Sequence, residues 1–133
     1  TTIDYLLQTA RPYIYTTATP PALAAATRMA LTLVHGADAE RAHLQTLIGH
    51  LRQGVRDLGY QLMPSATAIQ PILVGANEAA LQLSAQLRAR GLLVTAIRPP
   101  TVPVNTARLR VTLSASHSLA QVDQLLNALA DVT

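Results

Sequence analysis

Aliphatic residues recur at helical spacing between Asp38 and Gly59, and this pattern predicts the clearest helix of the chain. The predicted apolar face of that helix consists of Leu44, Leu47, Ile48, Leu51, Val55 and Leu58. Asp38 stands where an N-terminal cap is expected, and Gly59 stands where the helix should end. The segment therefore contributes one long side of a hydrophobic core.

An Ala-rich helix is predicted before it, from Pro20-Pro21 to about His35-Gly36, because proline suits the first helical turn. Thr19 is its predicted cap. Residues 2–9 form a short amphipathic stretch that Arg11-Pro12 interrupts. Residues 13–19 have the character of an extended or turning connector.

Three apolar segments in the second half predict short strands at residues 69–74, 92–97 and 108–113. The first contains Pro71, which suits an edge strand or an irregular start. The third alternates strictly, so that Arg108, Arg110 and Thr112 point to one side while Leu109, Val111 and Leu113 point to the other. One face of this strand is predicted to be polar and the other buried.

Two further helices follow from capping signals. Asn77 is the predicted cap of a helix that runs through Arg90 to Gly91, and Ser118 with Gln121 forms a capping box for the last helix. The apolar face of that last helix is Leu119, Val122, Leu125, Leu126 and Leu129.

The element order is thus two long helices followed by β-α-β-β-α. It predicts an α/β fold of the two-layer α+β type, with a small, partly antiparallel sheet covered by helices. No internal repeat or flexible linker interrupts the chain, so residues 1–133 are predicted to be one domain.

Composition narrows the classes of function. The net charge is +3, but the ten basic residues are scattered arginines without interleaved aromatic residues, which disfavours a nucleic-acid interface. The absence of cysteine is typical of a reducing compartment, and no apolar run is long enough to span a membrane, so a cytoplasmic location is expected. His43 and His50 share a helix face, but they lack further ligands at metal-binding spacing and are predicted to be solvated.

The segment from Arg98 to Thr106 is the chemically richest part of the chain. Its prolines leave the backbone little freedom to lose on binding, and Arg110 follows on the polar side of the next strand. A guanidinium group matches a carboxylate with two charge-assisted hydrogen bonds, so a carboxylate site is predicted here. A simply solvated strand face is the alternative interpretation of Arg108 and Arg110.

A second candidate site precedes the Ala-rich helix. Residues 15–21, Y-T-T-A-T-P-P, place hydroxyl groups beside a helix N-terminus, where backbone N–H groups and the helix dipole favour a phosphate. Ordinary helix capping is the alternative.

These segments together resemble the α-oxoamine synthases, which are pyridoxal 5'-phosphate (PLP) enzymes of fold type I. The resemblance rests on A-I-R-P-P-T-V-P at residues 96–103, T-A-R-L-R-V-T-L at 106–113, S-A-T-A-I-Q-P-I at 65–72 and the Y-T-T segment, and it extends over essentially the whole chain. The fold it implies is the C-terminal small domain of such enzymes plus connecting helices.

The resemblance also implies roles for individual residues. Arg110 is expected to hold the amino-acid carboxylate, while Thr101 and Arg98 are expected to line the acyl pocket. Thr17 with Thr16 is expected to reach the cofactor phosphate of the neighbouring subunit in a homodimer. The family usually has glycine where this chain has Asn105, and asparagine is the residue that best replaces glycine in a left-handed turn.

Enzymes of this family hold PLP as a Schiff base on a lysine, and this chain contains no lysine. Guanidinium groups stay protonated and cannot substitute, so the chain alone is expected to be inactive and to be the carboxy-terminal part of a longer enzyme. Arg98 favours the branch that condenses L-alanine with a pimeloyl thioester of CoA or acyl carrier protein (ACP), with release of CO2, in biotin biosynthesis. A glycine-using synthase and a stand-alone ligand-binding or oligomerisation module are the alternatives.

Overall fold

The computed structural model describes residues 1–132, in which six helices and a four-stranded sheet confirm the predicted α/β class. The elements are α1 (Thr2–Thr9), α2 (Arg11–Ile14), α3 (Pro21–Gly36), α4 (Asp38–Asp57), β1 (Gln61–Leu62), β2 (Ile69–Gly75), α5 (Asn77–Ala89), β3 (Thr95–Ile97), β4 (Ala107–Thr112) and α6 (Leu119–Ala130). They form two compact units, divided after Ala37. No helix within residues 1–132 is both long and apolar enough to cross a membrane.

The first unit consists of α1, α2 and α3, and none of these helices contains a buried residue. Thr1 and Asp4 form a capping box at α1, in which the Asp4 N–H donates to the Thr1 hydroxyl at 3.3 Å. The interruption predicted at Arg11-Pro12 is confirmed, because α1 ends at Thr9, and these two residues begin the separate one-turn helix α2. Pro12 is tolerated there because first-turn N–H groups need no partner within the helix.

Helix α3 begins at Pro21, as predicted, but the predicted cap is wrong. Pro20 occupies the cap position and no side-chain hydrogen bond caps the helix. Thr19 lies one residue too early to play that part. The N-terminus of α3 is stabilised instead by backbone bonds from Leu23 and Ala24 to the Pro20 carbonyl.

In the second unit, the predicted apolar face of α4 is confirmed. Its four buried residues are Leu47, Ile48, Leu51 and Val55. The helix ends as expected at Gly59, whose φ of 82° lets the Tyr60 N–H return to the Val55 carbonyl. Asp38 is the first residue of the helix, where its carboxylate accepts a 2.6 Å bond from Arg41.

The sheet has the order β1-β2-β4-β3, and every pairing is antiparallel where only part of the sheet was predicted to be. The sequence did not reveal β1, which is two residues long. Pro71 therefore lies in an interior strand, so the edge position, one of its two predicted placements, is wrong. The Pro71 carbonyl accepts the N–H of Met63, and the Pro71 nitrogen points to the same side of the strand. Met63 lies just beyond the end of β1, so no strand residue there needs an N–H from Pro71.

The two faces of the sheet differ as the alternation of β4 predicted. Leu109 and Val111 are buried together with Ile72 of β2 and the apolar sides of α4, α5 and α6, whereas Arg110 and Thr112 are exposed. The unit therefore has two layers, helices on one side and an open sheet face on the other.

The capping box of Ser118 and Gln121 at α6 is confirmed. Asn77 is not the cap of α5: Ala76 takes that place, and Asn77 begins the helix with its Oδ1 buried and unpaired among the described residues. Leu119 is 44% exposed, so it does not belong to the buried face of α6. Ala128, which was not predicted, does belong to that face. Strand β3 is shorter than predicted, since residues 92–94 lie outside the ladder.

Candidate functional site

The candidate site is built on the loop between β3 and β4, residues 98–106. The loop begins with a tight turn in which the Thr101 N–H donates to the Arg98 carbonyl at 3.1 Å, and the Pro99-Pro100 peptide within it is cis. Asn105 has a φ of 60°, which confirms that asparagine takes the left-handed conformation expected for this position. Arg98 and Thr101 thus share one turn, and both are exposed.

Arg110 lies on the open face of the sheet, with Pro71 of β2 and Thr95 of β3 as its cross-strand neighbours. Its side chain is exposed, and within residues 1–132 no hydrogen bond or ion pair engages its guanidinium group or that of Arg98. Five N–H donors of each group are therefore available to a ligand.

The charge around these arginines is one-sided. Residues 91–122 contain three arginines and no aspartate or glutamate. No acidic neighbour in this stretch competes for the guanidinium groups, so their field favours an anion, and a carboxylate most of all because it accepts two parallel bonds.

Arg108 points to the same side of β4 but behaves differently. Its guanidinium group is engaged by Thr106 and by the sulfur of Met63. The sequence pattern predicted the same polar side for both arginines of this strand, because strand periodicity specifies the face of a side chain and not its hydrogen-bond partner.

The predicted phosphate site lies in the first unit. Thr16 is committed internally, since its hydroxyl donates to the Pro12 carbonyl at 2.8 Å. The hydroxyl of Thr17 has no partner within residues 1–132 and stands four residues before α3. Of the two threonines, Thr17 is the one with a hydroxyl available to a ligand.

The prediction of a solvated side chain is wrong for His43, which is half-buried and donates from Nε2 to the His117 carbonyl at 2.8 Å. His50 is exposed as predicted, but its Nε2 also lies 2.6 Å from Asp123 Oδ1, so both histidines link α4 to the α6 region. His117 accepts the Ser114 N–H at its Nδ1, which closes the turn before α6. Among residues 1–132, no three His, Cys, Asp or Glu side chains are grouped to hold a metal ion.

A cleft of about 300 Å³ lies at the opposite end of β4 and was not foreseen from the sequence. Leu92, Val94, Leu113 and Leu125 supply its apolar walls, and His117 lies at its polar side. None of the predicted site residues lines it, so it is separate from the loop of residues 98–106.

Comparison with known proteins identifies the family of the chain. The family model of the aminotransferases of class I and II matches residues 1–129. The chain belongs to that family. It is 64% identical over 128 residues to 8-amino-7-oxononanoate synthase of Marinobacter nauticus and 63% identical over 129 residues to that of Pseudomonas entomophila. These matches cover 96% and 97% of the chain but 32% and 33% of the relatives, so the chain spans about a third of their length.

Solved structures agree with the fold. Serine palmitoyltransferase of Sphingomonas wittichii superposes with a TM-score of 0.88 at 33% identity, over 98% of this chain and 33% of that one. A serine palmitoyltransferase solved with PLP gives 0.89 at 26% identity, with the same shares covered. An 8-amino-7-oxononanoate synthase from Francisella tularensis gives 0.84 at 28%, over 98% of this chain and 38% of that one. The resemblance inferred from the sequence motifs is confirmed.

Proposed function

We propose that residues 1–133 are the C-terminal small domain and connecting helices of a PLP-dependent acyltransferase. The whole enzyme condenses L-alanine with a pimeloyl thioester of CoA or ACP, releases CO2 and yields 8-amino-7-oxononanoate. The observation that carries this proposal is the 64% identity, over 96% of the chain, to a relative named for that product. The exposed, unpaired guanidinium groups of Arg98 and Arg110 support it, since both substrates are anionic.

The residues of the first unit fit the phosphate of PLP. Thr17 offers a hydroxyl without an internal partner, and it precedes the N-terminus of a 16-residue helix. Thr17 would hold the phosphate, with Thr16 stiffening the segment through its bond to Pro12. When bound, PLP supplies the electron sink for the carbanion. The lysine that holds it belongs to another part of the enzyme, because this chain has none.

Arg110 fixes the carboxylate of L-alanine. Its place on a paired strand of the sheet holds the backbone rigidly, and its fork-shaped guanidinium orients a carboxylate through two bonds. Arg98 and Thr101, presented together by the turn of the proline-rich loop, line the acyl side. The cation of Arg98 suits the far carboxylate of the pimeloyl chain.

The enzyme is proposed to be a cytoplasmic homodimer, in which Thr17 reaches the phosphate held by the neighbouring subunit. Sedimentation of the complete gene product tests the dimer. A monomer that keeps full activity would contradict it.

Steady-state kinetics of the complete gene product carrying this sequence tests the role of Arg110. Arg110→Gln should raise the KM for L-alanine about 100-fold, because two charge-assisted hydrogen bonds are lost. Arg88→Gln is the matched control, since Arg88 is an exposed arginine on α5 and its replacement should leave KM unchanged. An Arg110→Gln enzyme with the wild-type KM for alanine would overturn the assignment.

A substrate panel separates the alternatives. L-Alanine with pimeloyl-CoA should give 8-amino-7-oxononanoate, and glycine with acetyl-CoA should react far more slowly. Preference for the glycine pair would indicate the glycine-using synthase. Failure of every pair, with this chain alone binding a ligand, would indicate a stand-alone module.

A further inference from the structure

Arg108 and Arg110 lie two residues apart on the same side of β4, but their side chains are used in opposite ways. All three guanidinium nitrogens of Arg108 donate: Nε to the Thr106 carbonyl at 3.0 Å, one terminal nitrogen to the Thr106 hydroxyl at 3.1 Å, and the other to the Met63 sulfur at 3.0 Å. None of these acceptors is charged. Because each of its nitrogens already donates to an acceptor of this chain, the Arg108 guanidinium is not the group that binds a substrate.

The hydroxyl of Thr106 passes this restraint into the loop. It accepts from Arg108 and donates to the Pro103 carbonyl at 2.7 Å, and the Thr106 N–H reaches the same carbonyl at 3.2 Å. One hydroxyl that both donates and accepts has a fixed direction. Pro103 is two residues beyond Thr101, so the second half of the loop is tied to Arg108.

The contact with Met63 fixes where the Arg108 guanidinium lies. Met63 follows β1, and its N–H donates to the Pro71 carbonyl on the side of β2 that faces away from β4. The contact between the Arg108 guanidinium and the Met63 sulfur therefore lies on the β2 side of β4. The positive charge of Arg108 is thereby directed away from β3, the strand that pairs with Arg110 on the other side of β4.

We propose that Arg108 is a positioning residue that shapes the acyl side of the site. Through Thr106 and Pro103 it holds the exit of the loop that carries Thr101 and Arg98, and through Met63 it keeps its own charge apart from Arg110. This inference rests on the proposed function for the identity of the two substrates. It predicts that loss of Arg108 affects the acyl thioester and leaves amino-acid binding to Arg110.

Kinetics of the complete gene product tests the split. Arg108→Met should raise the KM for pimeloyl-CoA about tenfold, since bonds to one charged group are lost, while the KM for L-alanine stays within about twofold. Arg108→Lys should resemble Arg108→Met, because a single ammonium cannot reproduce the fork. An equal rise in both KM values would show that Arg108 does not act selectively on the acyl side and would overturn the proposal.

Thr106 supplies a matched pair that breaks the relay but leaves Arg108 its bonds to the Thr106 carbonyl and to Met63. Thr106→Ser keeps the hydroxyl and should behave as wild type, whereas Thr106→Val keeps the shape, loses the hydroxyl and should raise the KM for pimeloyl-CoA as Arg108→Met does. The double variant should be no worse than Arg108→Met alone, because both changes break one chain of bonds. Full additivity, or a wild-type Thr106→Val, would contradict the proposed relay.

Hydrogen exchange without substrate separates a failure of this inference from a failure of the proposed function. In Thr106→Val, the amides of Thr106 and Thr101 should exchange about tenfold faster, because loss of the relay loosens the loop that holds both. Amides within α5 should keep their wild-type rates. Unchanged exchange at Thr106 would refute the positioning role whatever the substrates prove to be.

Discussion

Helices α3 and α4 carry similar aliphatic residues, but those of α3 are exposed and those of α4 are buried. In α3, Leu23, Leu31 and Leu33 are between 56% and 67% exposed, whereas in α4 Leu47 and Leu51 are fully buried. The reason lies outside either helix. The unit of residues 38–132 contains a sheet whose apolar face covers α4, and the unit of residues 1–37 contains no sheet. Periodicity therefore predicts that a segment is helical without telling what will cover it.

The largest expected effect tests that contrast directly. Leu51→Ala should lower the free energy of unfolding by about 2–5 kcal/mol, because it opens a cavity in a closed core. Leu33→Ala, at a side chain that is 67% exposed, should change it by less than about 0.5 kcal/mol. Urea denaturation of the chain, followed by circular dichroism, measures both. Equal losses would mean that the two units do not differ in packing as described.

A smaller effect is expected at two glycines of α4. A Cβ at Gly54 would collide with a methyl carbon of Leu126, whereas a Cβ at Gly49 would meet no atom within 4 Å. Gly49→Ala should stabilise the helix by up to about 1 kcal/mol. Gly54→Ala should be less stable than Gly49→Ala by about 1–3 kcal/mol, since the α6 side chain must move. Two variants of equal thermal stability would show that α4 and α6 are not in close contact there.

The smallest effect compares the two capping boxes, one in each unit. Ser118→Ala should lower the stability of the sheet-containing unit by about 1 kcal/mol, because the Gln121 N–H loses its acceptor, the Ser118 hydroxyl. Thr1→Ala removes the equivalent acceptor of the Asp4 N–H in α1, but α1 contains no buried residue, so the main unfolding transition should not move. A shift of that transition by Thr1→Ala would show that α1 belongs to the same cooperative unit.

The elements predicted correctly are those whose signals are local. Alternation gave the two sides of β4, the Ser-x-x-Gln pattern gave the start of α6, and Gly59 gave the end of α4. Each depends on residues within a few positions of one another. The tendency of asparagine to accept positive φ likewise predicted the conformation of Asn105.

The misses depend on distant partners. Strand β1 exists because Gln61 and Leu62 meet Leu73 and Ile72, and two residues leave no periodicity to detect. Asn77 looked like a cap because its side chain type suits one, but the helix begins one residue earlier than that role requires. The pairing of His43 with the His117 carbonyl spans 74 positions, and no local pattern indicates it.

The candidate site shows the same limit. The sequence placed Arg98, Thr101 and Arg110 on one loop and the strand that follows it, and the structure agrees. It could not separate Arg110 from Arg108, because the difference depends on Met63, which lies 45 positions away. A tether of that kind is visible only once the strands are in register.

The sheet order has a consequence for how the protein is made. Strand β4 lies between β2 and β3, although it is the last strand in the sequence. During translation β2 leaves the ribosome before β4, so Ile72 lacks its cross-strand neighbour until Leu109 has been added. A nascent polypeptide paused before residue 107 therefore displays an unfinished apolar edge, the kind of surface that chaperones recognise. Addition of β4 is what allows β2 and β3 to join one sheet.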